Sequence, residues 1–113
     1  MDCLFCKIAR GEIPVEKLYE DDKIVAFKDI NPCAPVHVII IPINHITSAM
    51  ELDDENIKIV GHIFKIIKKL AMDFHISESG FRVVNNCGED GGQSVKHLHF
   101  HLIGGRSLNW PPG

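Results

Sequence analysis

Apolar and polar positions change period several times along this chain, and each change marks an element. Between residues 53 and 74, Ile57, Val60, Ile63, Phe64, Ile67, Leu70, Ala71 and Phe74 recur at helical spacing. Lys58, Lys65, Lys68 and Lys69 fall mostly off that stripe. Asp53 stands where an N-cap is needed, and Asp54 and Glu55 suit the positive end of a helix dipole. The pattern predicts one long helix, weakened by about 1 kcal/mol at Gly61 relative to alanine. A short helix is predicted for CLFCKIAR at 3–10, with Leu4, Phe5 and Ile8 on one side and Gly11 as its stop.

The remaining runs read as strands. KLYE (17–20) and KIVAFKD (23–29) form a hairpin joined at Asp21-Asp22, and VHVIIIPI (36–43) is a buried strand rich in branched side chains. FRVVN (81–85) is the next, and SVKHLHFHLIG (94–104) the last, ended by Gly104-Gly105. This order predicts an α+β fold, with an antiparallel sheet and helices packed on one face. No repeat or low-complexity linker interrupts it, so residues 1–113 read as a single domain.

The last strand poses a chemical question. Side chains alternate faces along a strand, so His97, His99 and His101 share one face and Leu98, Phe100 and Leu102 the other. The leucine–phenylalanine face explains itself as core. A row of imidazoles does not, because a solvent-facing strand more cheaply carries Thr, Lys or Glu. Two chemistries use such a row: metal binding by neutral imidazole, and acid–base or nucleophilic catalysis. The preceding loop, NCGEDGGQ (86–93), favours the second. Its glycines offer backbone N–H groups that can cradle phosphate oxygens, and it leads through Ser94 into the histidines. The joint reading is attack by His99 on phosphorus, with a neighbouring histidine or Ser94 handling the proton.

Composition narrows the partners. A net charge of −3 without a basic cluster argues against a nucleic-acid backbone binder but leaves room for a single nucleotide. The longest apolar run, VIIIPI, is far short of the roughly 20 residues that span a bilayer, so no membrane partner is expected. The first residues lack the basic start and apolar stretch of a secretory signal, so a cytoplasmic location with reduced thiols is expected for Cys3, Cys6, Cys33 and Cys87.

The run from His97 to Ile103 resembles the motif of the histidine-triad (HIT) superfamily. DGGQSVKHLHFHLIGGR, followed by WPPG, is similar to its Hint branch, as are FCKIARGEIP, AFKDINPCAPVHVIIIP and the NHI at 44–46. The resemblance covers nearly the whole chain. It implies a HIT-like fold: a five-stranded antiparallel sheet with one long and one short helix, the sheet extended across a homodimer. It implies hydrolysis of purine nucleoside 5′-monophosphoramidates to nucleoside monophosphate and amine through a nucleotidyl-histidine, with no cofactor required for catalysis. By position, His99 resembles the nucleophile, His101 its partner near the phosphate, and His45 and His97 supporting histidines. Asp29 resembles the carboxylate that holds the ribose hydroxyls; Phe5, Ile8, Phe27 and Ile30, with Leu4 beside them, the purine pocket. Asn86 (the position reached by counting back from the triad), Gly92, Gln93 and Ser94 resemble the phosphate contacts. Cleavage of a dinucleoside polyphosphate is the alternative reaction, and a nucleotide- or zinc-binding regulatory module the alternative class.

Cys3-x-x-Cys6 is half of a zinc site. A thioredoxin-like redox pair would need a strand before the helix, which is absent here. The resemblance supplies His45 and His97 as the other two ligands of a closed structural zinc site. Against it stands the reading of Cys3 and Cys6 as small buried hydrophobes under the first helix. His37, His62 and His75 read as packing or surface residues. Trp110 in the tail must bury against its own domain or a partner; in the Hint branch this tail serves the dimer and, with Asn109, the choice of amine.

Overall fold

The computed structural model describes residues 3–113. Its elements are helix α1 (Leu4–Ala9), strands β1 (Lys17–Glu20), β2 (Ile24–Lys28) and β3 (Val36–Pro42), helix α2 (Lys58–Asp73), and strands β4 (Phe81–Val84) and β5 (Phe100–Gly104). A single 3-10 turn, Ala49–Glu51, precedes α2. The five strands form one antiparallel sheet in the order β1-β2-β3-β5-β4.

The two helices lie on opposite faces of this sheet, not on one face as the element order predicts. Ile63, Ile66, Ile67 and Leu70 of α2 pack with Ile24, Ala26, Val38, Ile40, Leu98, Phe100 and Leu102. Phe5, Cys6 and Ile8 of α1, with Cys3, pack with Val25, Phe27, Ile39 and Ile41. The physical reason is that β2 and β3 are apolar at successive positions, so both faces need cover. Each fully buried branched side chain contributes about 1.5–3 kcal/mol, which makes α2 the larger share of the core.

The long helix begins four residues later than the capping pattern suggests. Asp53 does cap, but it caps the turn ahead of α2: its Oδ1 accepts from the backbone N–H of Glu55 (2.8 Å) and Asn56 (2.9 Å). Ile57 and Phe64, part of the sequence stripe, are exposed, whereas Ile66 is buried. At the other end the chain leaves α2 through His75, whose φ of 60° is left-handed. The N–H groups of Ile76 and His75 return to the carbonyls of Ala71 (2.9 Å) and Met72 (3.1 Å), which closes the last turn.

The last strand is shorter than predicted. Only residues 100–104 join the ladder; 94–99 approach it as irregular chain tied by the Leu98 N–H to the Ile46 carbonyl (2.6 Å). His101 pairs in register with Ile39, which places it on the α1 face. Leu98, Phe100 and Leu102 cover the α2 core, as the alternation predicts.

Candidate active site and metal-ligand cluster

The three triad histidines are not a solvent-facing row. His97 is fully buried, His99 is 3% exposed and His101 is partly buried. Each has a different set of partners, and these fix what each ring nitrogen can do.

His99 is held by the main chain. Its Nδ1 lies 2.7 Å from the His97 carbonyl, which can only accept, so Nδ1 carries the proton. In the neutral ring Nε2 then keeps its lone pair, the state a nucleophile requires. The ring of Phe5 stands edge-on to it, centroids 4.9 Å apart, and the Asn85 amide donates to the His99 carbonyl at 2.8 Å.

His101 is held by side chains. The Cys33 N–H donates to His37 Nδ1 (3.1 Å), so in neutral His37 the proton is on Nε2. That Nε2 lies 2.9 Å from His101 Nδ1 and 3.3 Å from Asp29 Oδ2. His101 therefore accepts at Nδ1 and carries its own proton on Nε2. Burial pushes its pKa down, nearby His99 and His37 add to this, Asp29 opposes, and the result is about 4. Asp29, His37 and His101 also have the donor types of a metal site. The Cys33 N–H argues against that use: a metal at His37 Nε2 would force the proton onto Nδ1, against another donor.

His97 belongs to a second cluster. Its Nε2 gives its proton to the Pro42 carbonyl (2.7 Å), so Nδ1 faces the thiols with a free lone pair. Cys3 Sγ is 3.3 Å and Cys6 Sγ 3.5 Å from that Nδ1, and Cys6 Sγ is 3.3 Å from His45 Nδ1. All four donor atoms lie within 4.8 Å of one another. A tetrahedral zinc with bonds of about 2.3 Å to sulphur and 2.0–2.1 Å to nitrogen sets S···N edges of roughly 3.5 Å, so the residues fit that ion. Burial lowers the pKa of His97, against the raising effect of the Pro42 hydrogen bond, and so keeps the ring neutral, as a ligand must be.

The other expected site residues divide. Phe5, Ile8 and Phe27 are brought together beneath α1, with Phe5 and Phe27 centroids 5.6 Å apart. Ile30 is not brought to them; it is 86% exposed. Asp29 uses Oδ1 to hold the Asn31 N–H (2.8 Å). In the glycine loop the N–H groups of Gly92 and Gln93 bond to the carbonyls of Glu89 and Gly88, both at 3.0 Å. The Gln93 side chain is spent on the loop as well: it accepts from Gly88 N–H (3.0 Å) and donates to the carbonyls of Thr47 (2.7 Å) and Val95 (3.0 Å). The Asn86 amide closes the same loop on the Gly91 carbonyl (2.7 Å). Ser94 stands exposed at the loop's exit.

Sequence reasoning read His37 as a packing or surface residue; it is buried, and it also bonds His101 within the candidate site. A signal was present: His37 shares strand parity with Ile39 and Ile41, on the face that carries His101. Cys33 enters through its backbone N–H, which no side-chain reading reveals.

Residues 2–109 match the family model described as scavenger mRNA decapping enzyme C-terminal binding. An uncharacterised HIT-like protein of Synechococcus elongatus is 47% identical, over 99% of this chain and 97% of its own. A 14 kDa zinc-binding protein of Zea mays is 46% identical, over 97% of this chain and 87% of its own. Among solved structures, a HIT family hydrolase from Legionella pneumophila superposes with a TM-score of 0.97 at 48% identity, covering 99% of this chain and all of that one. A histidine triad protein from Clostridium difficile gives 0.94 at 51% identity, covering 96% and 95%.

Proposed function

The chain belongs to the histidine-triad (HIT) family, and from that premise we propose that it hydrolyses purine nucleoside 5′-monophosphoramidates through a nucleotidyl-His99 intermediate. The observation that carries this reading is the hydrogen bond from His99 Nδ1 to the His97 carbonyl, which leaves the Nε2 lone pair of the neutral ring free for attack.

In the first step His99 Nε2 attacks phosphorus and the P–N bond breaks. The departing nitrogen needs a proton, and His101 Nε2–H is the group oriented to give it. In the free protein His101 is neutral, with its pKa near 4. A bound phosphoryl anion adds the opposite charge that raises it, so that the imidazolium forms only with substrate in place, and the His37 Nε2–H then turns from His101 Nδ1 to Asp29 Oδ2. In the second step His101, now neutral, takes a proton from water as the water attacks phosphorus and releases the nucleotide from His99. Phe5, Ile8 and Phe27 offer shape and stacking edges to the base, and Asp29 Oδ2 offers acceptor capacity to vicinal ribose hydroxyls. Ser94 donates to a phosphoryl oxygen.

Cys3, Cys6, His45 and His97 would hold a structural zinc ion. The name of the Zea mays relative supports this reading. When bound, the ion supplies a cross-link between α1 and the segment before β5, with no part in the chemistry. The active species is proposed to be a homodimer that joins the β4 edges of two copies into one sheet, since β4 is an outer strand and carries the exposed Phe81.

The test is intact-mass spectrometry of protein mixed with an adenosine phosphoramidate and quenched in base or in acid. The reading expects one AMP adduct, kept in base, lost in acid and absent from His99→Gly. No adduct and no released AMP would remove the enzyme reading. The decapping description of the matched family favours a second reaction, cleavage of a nucleoside polyphosphate. Comparing kcat/KM for a phosphoramidate and a dinucleoside polyphosphate separates the two.

A further inference from the structure

We propose that Cys3 and Cys6 form an oxidisable dithiol that a peroxide closes to a disulfide, with loss of any metal the same sulphurs hold. Metal loss rests on the zinc reading above; the closure needs only the two thiols.

The first argument is proximity. Cys3 and Cys6 flank the first turn of α1, closed by the Lys7 N–H on the Cys3 carbonyl at 3.0 Å. Three residues along such a turn leave the Cα atoms about 5 Å apart, inside the 4.4–6.8 Å window of disulfides. The sulphurs lie within 4.8 Å of each other, and the Cys6 N–H already points at Cys3 Sγ, 3.4 Å away. Cys3 itself is extended, with φ −98° and ψ 121°, and caps the helix, which sets its Sγ over the first turn on the Cys6 side.

The second argument is access from one side. Cys3 is buried, yet it lines a cavity of about 560 Å³ with Leu4, Thr47, Ser94 and Lys96; Cys6 is not among the residues lining it. The cavity gives a small oxidant a route to Cys3, and Cys6, within 4.8 Å, is the resolving thiol.

The chemistry closes on one peroxide. The Cys3 thiolate attacks a peroxide oxygen; an S–O bond forms, the O–O bond breaks, and the departing hydroxide takes a proton to leave as water. The Cys6 thiol then attacks the Cys3 sulphur as it gives up its proton; the S–S bond forms, the S–O bond breaks, and the departing hydroxide takes that proton to leave as a second water. The two cysteine sulphurs lose two electrons in all, and the peroxide is reduced to two waters. The product draws the sulphurs to about 2.05 Å. Zinc needs them about 3.8 Å apart as separate thiolates, so two of its four ligands vanish together. His97 stands between this pair and the nucleophile: its ring touches both sulphurs and its carbonyl holds His99 Nδ1. Phe5, between the two cysteines in sequence, packs on the His99 ring.

The experiment uses the full chain carrying Cys33→Ser and Cys87→Ser, loaded with zinc and treated with hydrogen peroxide. Peptide mapping reads the disulfide, and a chromophoric chelator reads released zinc. The expected result is a Cys3–Cys6 disulfide with one zinc released per bond, both reversed by a dithiol reductant plus zinc, and phosphoramidate turnover several-fold lower while oxidised. A further Cys6→Ser change should leave a sulfenic acid on Cys3, trapped by a cyclic 1,3-diketone. Recovery of both residues as thiols, or as sulfinic acids without a disulfide, overturns the proposal. If the protein takes up no zinc, the metal reading fails separately, and the disulfide map of the metal-free protein decides the dithiol proposal alone.

Discussion

His37 on β3 donates from Nε2 to Nδ1 of His101 on β5 across 2.9 Å, and the direction of that bond is set by the Cys33 N–H behind it. His37→Ala removes the donor and lets the His101 proton reside on either nitrogen. Turnover of a phosphoramidate should fall by about 10- to 100-fold in kcat, less than loss of the general acid itself because His37 acts only through His101, while KM changes little. An equal loss in KM would make His37 a substrate contact instead.

Asp21 governs acid stability away from the site. Burial works to raise its pKa, but hydrogen bonds from Lys23 N–H, His62, Ile24 N–H and Tyr19 outweigh it and bring it from 3.8 to about 2. A carboxyl whose folded pKa is depressed stabilises the fold above its unfolded pKa. That contribution, on the order of 2 kcal/mol at most, is lost as pH falls from about 4 through 2. Urea midpoints for wild type should drop across this window, and those of Asp21→Asn should drop less. Parallel curves for the two proteins would remove Asp21 from the account.

His75 pays the left-handed conformation at the end of α2. Glycine adopts φ near 60° without the Cβ penalty, so His75→Gly should stabilise the protein by about 1 kcal/mol, read as a higher thermal midpoint. A lower midpoint would mean the imidazole makes a compensating contact.

Gly91 has no room for a side chain. A Cβ there would collide with the carbonyl oxygen of Cys87, within the loop that Asn86 closes on the Gly91 carbonyl. Gly91→Ala should therefore disturb the proposed phosphate loop, lowering kcat/KM at least 10-fold while the core melts within a few degrees of wild type. Unchanged kinetics would place the phosphate elsewhere.

Much of this was legible from pattern. The alternation of His97, His99 and His101 with Leu98, Phe100 and Leu102 divides the two faces correctly, because strand parity persists through irregular extended chain. The position of α1 was harder, although the evidence lay in the sequence: Ile24-Val25-Ala26-Phe27 leaves no polar face to expose, which calls for cover on both sides. The start of α2 misleads because Asp53 satisfies N–H groups equally well in a turn and in a helix. His37 is lost for a different reason. A lone histidine in a strand carries no mark of its partners: His101 is 64 residues away, and the Asp29 carboxylate and the Cys33 N–H, though near in sequence, reach it only once the loop between β2 and β3 folds back.

The acceptor that orients His99 is a main-chain carbonyl, that of His97. Every amino acid brings the same carbonyl, so no single substitution at position 97 can delete it, whatever it does to the metal cluster. The alignment of His101 has no such insurance, since it passes through the side chain of His37. Under drift the two parts of the proposed reaction are therefore unequally protected: one codon change at His37 can disturb proton delivery, whereas none at position 97 removes the acceptor that orients His99.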